Sequence, residues 1–159
     1  MSNMKKEQGN LELKFEEVYI DANVFISSVI DLENDGNRAR DILSRIKNGK
    51  MKAFTSTLTL DEVLWILQKK KDRDNACKAV EVFIGLPNLT FISVNDEIMR
   101  VGINIYKNGN LRPRDAIHLS CMKAKRLNII ISSDSDFDKI KGIERIDFRK
   151  VVFKEDNKE

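Results

Sequence analysis

Apolar and polar positions along the chain are arranged in short runs that predict strands and helices in turn. Residues 18–20 form an apolar run typical of a short buried strand, and residues 128–132 form a longer one of the kind found inside a parallel sheet. Residues 37–50 place apolar side chains at helical spacing and end near a glycine suited to a helix C-cap. The same reasoning predicts strands at residues 52–55, 89–94 and 143–148, and helices that begin near residues 21, 59, 72, 96 and 113.

Strands that alternate with helices indicate an α/β protein, here a three-layer α/β/α fold around a central, mainly parallel sheet. The chain has 159 residues, 42% of them hydrophobic, which suits one domain with one core. Both ends are polar and lack periodicity. We therefore expect a flexible segment at residues 1–14, the domain at residues 15–153 and a charged tail at residues 154–159.

Net charge, cysteine content and the lack of long apolar segments exclude several classes of protein. A formal net charge of +3 is too small for a protein that stays wrapped on nucleic acid, so RNA or DNA would be a transient substrate. Cys77 and Cys121 lack CxxC spacing and histidine neighbours, which argues against zinc and disulfides, and we expect both to be buried. The sequence has neither an apolar membrane span nor an apolar signal segment, so we expect no membrane partner and a cytoplasmic location.

Carboxylates follow the two most regular predicted strands. Asp21 comes directly after the first of them, and Asp134 and Asp136 follow the second. Ligands of open α/β sheets bind beyond the carboxyl ends of the strands. Glu62 and Asp115 fall in the opening turns of predicted helices, which lie on that rim in such a fold. Clustered carboxylates repel one another and favour a divalent cation, and oxygen ligands point to Mg²⁺ or Mn²⁺ rather than zinc.

Four motifs in this order resemble those of the PIN domain family. They are Asp21-Ala22-Asn23 after a hydrophobic strand, Glu62 near a helix start, DAIHL beginning at Asp115, and SSDSDF beginning at Ser132. The resemblance covers residues 15–153, and the most similar members are the small prokaryotic VapC-type toxins. Ser132 departs from the family pattern, since many relatives have threonine there.

The resemblance implies a parallel sheet flanked by helices and Mg²⁺- or Mn²⁺-dependent cleavage of RNA. It also implies frequent homodimers and, for a toxin, a VapB-like antitoxin partner. Catalytic residues would bind metal or orient metal-bound water, Asn23 would support Asp21 by hydrogen bonding, and Asp136 would be an auxiliary acid. The implied site is catalytic Asp21, Glu62, Asp115 and Asp134 with auxiliary Asn23, Asp136 and Ser132.

Ordinary structural roles compete with catalysis for several of these acids. Thr59 and Glu62 have the spacing of a capping box, which satisfies the first amides of a helix. Asp21 could cap the helix after it, with Asn23 as an alternative cap, and Asp134 or a neighbour could cap a turn. Which of the acids bind metal therefore stays open at this point.

Other candidates carry weaker signals. His118 is the only histidine, and a lone histidine is more typical of a packed or capped side chain than of a ligand. Arg112 and Arg114 flank the start of the helix that carries Asp115, where contacts with substrate phosphates would be useful. Trp65 stands among apolar residues and fits the core or a dimer interface.

Two further patterns have simple explanations. Residues 31–36 resemble the first half of a calcium-binding loop, but its twelfth position, which needs a bidentate glutamate, is Ile42. The three lysines at residues 69–71 fit a solvated helix end.

Two other classes of enzyme fit the sequence less well than a nuclease. A haloacid-dehalogenase-like phosphatase would need an acid two residues after Asp21, where Asn23 stands, and a receiver domain would need an early acidic pair and a late lysine that we do not find. Two alternatives remain open. One is a PIN-like scaffold that binds RNA or protein without cutting, and the other is an RNA-processing nuclease outside a toxin-antitoxin pair.

Overall fold

The computed structural model describes residues 17–151 and 153, and within them the chain forms five strands, six α-helices and two short 3-10 helices. The predicted flexible segment 1–14 and the charged tail 154–159 lie outside the described residues. The elements are β1 (Glu17–Ile20), α1 (Ala22–Ile30), α2 (Asn34–Lys47), β2 (Lys52–Ser56), α3 (Thr57–Lys70), α4 (Arg73–Ile84), β3 (Leu89–Ile92), α5 (Asp96–Asn108), α6 (Pro113–Ala124), β4 (Ile129–Ile131), a 3-10 helix (Ser135–Lys139), β5 (Glu144–Ile146) and a 3-10 helix (Phe148–Lys150).

The strands form one parallel sheet in the order β3-β2-β1-β4-β5. From β1 the chain adds β2 and β3 on one side and then returns to add β4 and β5 on the other. Strand order therefore reverses between β1 and β4, and the crevice beyond their carboxyl ends is where such sheets bind ligands. Asp21 and Ser132 follow directly after these two strands.

Helices cover both faces of the sheet. Val18 and Ile20 of β1 pack with apolar side chains of α1, α2, α3 and α4 on one face. Tyr19, between them, packs on the opposite face with Cys121 and Met122 of α6 and with side chains from α5. This alternation follows from the period of two along a strand. The predicted three-layer α/β/α architecture is confirmed.

Helix boundaries differ from prediction in two places. The helix predicted over residues 37–50 begins at Asn34 and ends at Lys47, so residues 31–36 are no ion-binding loop but the junction of two helices. The helix predicted from Thr59 begins at Thr57, because the Ser56 hydroxyl accepts the Thr59 amide and serves as N-cap.

One burial prediction is wrong. Cys77 is exposed, because it follows the buried Ala76 on α4 and faces solvent, whereas Cys121 is buried as expected. Trp65 is 48% exposed and lies outside the core, so of its two predicted places only the dimer interface stays a prediction. The Lys69 ammonium, one turn further along α3, lies 3.8 Å from the centre of its ring. In the described part of the chain, none of the helices has the length and apolarity to cross a bilayer.

Candidate active site

Three carboxylates converge beyond the end of β4. Asp115 is the third residue of α6, Asp134 follows β4, and Asp136 lies in the 3-10 helix after it. One carboxylate oxygen from each lies within 4.8 Å of the others, which is close enough to share a metal ion. The amide of Asp136 donates to Oδ1 of Asp134 at 2.9 Å, so Asp134 also caps this 3-10 helix.

Of the three carboxylates, Asp115 has the least favourable surroundings for a negative charge. Its Oδ2 atom is buried and has no hydrogen-bond partner. Burial, followed by the charges of Asp134 and Asp21, raises the pKa of Asp115 to about 6. A buried carboxylate oxygen without a donor is costly, and a cation is one of the few groups that removes the cost. An all-oxygen set with an orphan oxygen fits a hard divalent cation.

Asp136 is the partly neutralised member of the cluster. Lys139 Nζ lies 2.8 Å from its Oδ1, and Arg112 lies 3.6 Å from its Oδ2. The hydrogen bond from Lys139 lowers the pKa of Asp136. Asp136 therefore stays ionised, with its charge partly compensated by Lys139 and Arg112.

Asp21 is fixed by donors on both of its oxygens. Oδ1 accepts the Ala22 amide at 2.7 Å, and Oδ2 accepts from Asn23 Nδ2 at 2.8 Å and from the Ser132 hydroxyl at 2.5 Å. The hydrogen bond expected from Asn23 is therefore present. A carboxylate offers about four acceptor positions, so Oδ1 keeps one for a further partner. Burial raises the pKa of Asp21, against the opposing effects of His118, Ser132 and Ala22.

Glu62 does not take part in the predicted capping box. Because Ser56 caps α3, the Glu62 carboxylate is free of that role, and its Oε1 lies 2.6 Å from Nε2 of His118. The same nitrogen lies 4.0 Å from Oδ1 of Asp21. The four predicted catalytic acids thus fall into two groups: Asp115 and Asp134 in the metal-sized cluster with Asp136, and Asp21 and Glu62 on either side of a histidine.

The contact between His118 and Glu62 is one that the sequence did not predict. The His118 side chain is 1% exposed, which agrees with the expected packing, but it also touches Glu62, 56 positions away in the chain. Burial lowers the pKa of His118, while the hydrogen bond to Glu62 and the charges of Asp21 and Glu62 raise it, with a net result above the ordinary value. The one available signal was its position one turn after Asp115 on α6.

The two arginines lie at the solvent edge of the site. Arg112 contacts Asp136 as described above, and Arg114 Nη2 lies 3.9 Å from Oδ2 of Asp61, the neighbour of Glu62. Their side chains are 74% and 52% exposed, respectively. Both long cations can therefore leave their acidic partners at little cost.

Comparison with known proteins gives a consistent result. The family model of the PIN domain matches residues 18–143. Ribonuclease VapC2 of Methanocaldococcus jannaschii is 24% identical over 154 residues, covering 88% of this chain and 97% of that protein. The DNA-bound VapBC structure from Salmonella typhimurium aligns with a TM-score of 0.64 at 16% identity, covering 84% of this chain and 99% of the other. Mycobacterium tuberculosis VapC20, a sarcin-ricin loop cleaving toxin, aligns with a TM-score of 0.63 at 14% identity, covering 76% and 92%.

Proposed function

Since this chain belongs to the PIN domain family, we propose that it is a metal-dependent endoribonuclease that hydrolyses phosphodiester bonds in RNA. The observation that carries the proposal is the buried, unpartnered Oδ2 of Asp115 in a cluster of three carboxylates at the switch point of the sheet. The similarity to Ribonuclease VapC2 and to the RNA-cleaving VapC20 supports the choice of RNA as substrate.

The ion we propose is Mg²⁺ or Mn²⁺, held by Asp115 and Asp134 with Asp136 as a third oxygen ligand. When bound, the ion would activate water and neutralise negative charge on the phosphate. Asp21 and Glu62 would hold and orient the attacking water. Asp21 does so with its one open acceptor position, and Glu62 with the oxygen that His118 does not bind.

Substrate would approach past Arg112 and Arg114, which together form what we call the arginine rim. Arg112 and Arg114 are exposed cations beside an acidic centre that would otherwise repel the RNA backbone. By exchanging Asp136 and Asp61 for phosphate oxygens, they would bring a phosphodiester to the carboxylates. We assign them to substrate binding and not to bond breaking.

Cleavage of a mixed pool of structured RNAs by the purified protein tests the nuclease activity. We expect cutting with Mg²⁺ or Mn²⁺, none with EDTA, and loss of cutting in the Asp21→Asn variant, purified in parallel. Asp41→Asn is a matched control, since Asp41 is exposed on α2 and should be dispensable. Cutting that ignores EDTA and survives Asp21→Asn would indicate a contaminant. No cutting at all would favour the scaffold that binds RNA or protein.

We further propose that the protein is the toxin of a type II toxin-antitoxin pair, with a VapB-like antitoxin as partner. The Salmonella typhimurium neighbour is a VapBC complex, which supports this choice over a free-standing RNA-processing enzyme. A small adjacent gene for a DNA-binding protein that co-purifies with this chain and suppresses its cleavage would support the proposal. An isolated gene would favour RNA processing.

Assembly and location are part of the same proposal. We propose a homodimer, as in many PIN domain toxins, that acts in the cytoplasm. Light scattering of the purified chain would give twice the mass of 18.3 kDa for a dimer. A mass equal to one chain at micromolar concentration would refute this part of the proposal without affecting the nuclease assignment.

A further inference from the structure

A buried chain of hydrogen bonds runs from the sheet to Glu62. The Tyr19 hydroxyl lies 2.7 Å from Nδ1 of His118, and Nε2 of the same ring lies 2.6 Å from Oε1 of Glu62. Tyr19 is fully buried in β1, and the His118 side chain is 1% exposed. The three residues come from β1, α6 and α3, so the connection joins the sheet to the helices of both faces.

The positions of the protons in this chain follow from the chemistry of its two ends. An ionised Glu62 can only accept, so Nε2 of His118 must carry the proton that lies between them. Burial raises the pKa of Tyr19 well above its ordinary value, so the hydroxyl keeps its proton and can donate it to Nδ1. The Ser56 hydroxyl lies 3.4 Å from the same Nδ1 as a second, weaker partner. With its proton on Nε2, the imidazole donates to Glu62 and accepts from Tyr19.

Stability alone does not explain this arrangement. Three polar groups in the interior gain little over apolar side chains of the same volume, because their desolvation offsets most of the hydrogen-bond energy. Glu62 is not needed to cap α3, since Ser56 does that. The contacts instead fix positions. They hold one oxygen of Glu62 in place and keep Nε2 of His118 4.0 Å from Oδ1 of Asp21.

We propose that His118 is a positioning residue that holds Glu62 in its working orientation, and that Tyr19 in turn locks the imidazole ring. This inference rests on the proposed nuclease function, in which Glu62 orients the attacking water. His118 acts only through Glu62 and touches neither substrate nor metal. Supporting contacts of this kind around a metal centre are worth about 10- to 100-fold in activity.

Nuclear magnetic resonance of the imidazole tests the geometry without metal or RNA. Because His118 is the only histidine, uniformly ¹⁵N-labelled protein in EDTA gives one imidazole spin system and needs no assignment. We expect a protonated Nε2 whose proton resonance lies downfield and moves upfield in Glu62→Gln. Tyr19→Phe should shift Nδ1, and Tyr106→Phe, the matched control at the chain's one other tyrosine, should shift neither nitrogen. A proton on Nδ1 alone, or an Nε2 signal indifferent to Glu62→Gln, would overturn the inference.

Kinetics of five variants then test the positioning role. His118→Leu should lower kcat by about 10- to 100-fold with little change in KM, and His118→Gln, whose amide can donate to Glu62, should recover most of the loss. In a Glu62→Gln background, His118→Leu should cost nothing further, because its effect passes through Glu62. Thermal melts of each variant separate misfolding from misplacement, and Tyr19→Phe provides a milder perturbation of the same chain.

The two proposals can fail separately. His118→Leu with full activity, or with an additional loss in the Glu62→Gln background, would refute the positioning role while leaving the nuclease intact. A wild-type protein with the expected imidazole signals and no metal-dependent cutting would refute the nuclease, and with it the purpose assigned here to Glu62.

Discussion

At the scale of single residues, the same short acidic side chains can cap a helix and bind a cation. Asp21 caps α1 and still keeps an open acceptor position, and Asp134 caps a 3-10 helix while lying in the carboxylate cluster. The sequence could therefore place both acids correctly without deciding their roles. For Glu62 the capping explanation was wrong, because the cap lies three positions earlier than Thr59, at Ser56. The partner that replaces it, His118, is adjacent only in the folded chain.

Replacing the orphan carboxylate should separate stability from activity. Asp115→Asn removes a charge that is disfavoured by burial and by the charges of Asp134 and Asp21, so we expect a melting temperature in EDTA about 2–4 °C above wild type, equivalent to about 1 kcal/mol. Nuclease activity should be lost. Added Mn²⁺ should raise the melting temperature of wild type and have much less effect on the variant. A variant less stable than wild type in EDTA would show that the Asp115 charge does not destabilise the folded protein.

The arginine rim should affect substrate binding and not chemistry. We expect Arg112→Ala and Arg114→Ala each to weaken RNA binding by about two- to fivefold, because exposed charge contacts are worth at most about 1 kcal/mol. Each should also lower the slope of log affinity against log salt by about 0.7 to 1. Arg73→Ala, at an exposed arginine that begins α4, is the matched control and should change neither quantity. A fall in kcat with unchanged affinity would contradict the assignment.

At the scale of elements, the positions of strands and the type of each helix were predictable, while their junctions were not. The start of α2 at Asn34 lies outside the predicted helix because Gly36 lets the first turn pack onto the end of α1. A Cβ atom on Gly36 would lie 1.8 Å from the carbonyl oxygen of Asp31. That contact joins the start of α2 to the end of α1, and the pattern of apolar residues in the sequence does not predict it.

This close approach makes Gly36 sensitive to the smallest substitution. Gly36→Ala should lower the free energy of unfolding by about 1–3 kcal/mol, because backbone atoms must move to admit the methyl group. Gly85→Ala is the control: it ends α4 at an ordinary φ of −84°, and its Cβ would meet nothing closer than 3.7 Å. Urea denaturation should find it within about 0.5 kcal/mol of wild type. Equal effects at the two glycines would contradict the packing described for α1 and α2.

The turn after β5 should make stability depend on acid. Asp147 caps the last 3-10 helix and pairs with Arg149 at 2.8 Å and Arg145 at 3.6 Å, and the hydrogen bond from Arg149 lowers the pKa of Asp147. Asp147→Asn keeps the cap and removes the charge, so we expect a loss of about 1 kcal/mol at pH 7, allowing for solvent around Arg149.

The sign of the pH effect follows from that lowered pKa. The Asp147 carboxylate stabilises the fold fully above its unfolded pKa, near 4, and the stabilisation is lost as pH falls through the lower folded pKa. The difference between wild type and Asp147→Asn should therefore shrink below about pH 4. Asp35→Asn, at the exposed pair with Arg38, should show little difference at any pH. A difference that grows in acid would contradict the assigned ion pairs.

At the scale of the whole molecule, the parallel sheet brings together residues that the chain keeps far apart. Its order, with β1 beside β4, puts the residues after both strands at one edge. The predicted parallel sheet was enough to suggest the shared edge, whereas the strand order was not predicted. The division of the acids into a metal-sized cluster and a pair joined by His118 was not predictable, because it depends on how α3 and α6 meet over that edge.

The central claim, hydrolysis of RNA by water at this carboxylate site, is tested most directly by the ends of the RNA fragments. Activation of water by the cluster predicts a 5′-phosphate and a 3′-hydroxyl in the presence of Mg²⁺ or Mn²⁺, and no fragments from Asp115→Asn. Asp41→Asn should give the same ends as wild type. Fragments with a 2′,3′-cyclic phosphate and a 5′-hydroxyl would mean that the RNA's own 2′-hydroxyl is the nucleophile, and would contradict the account.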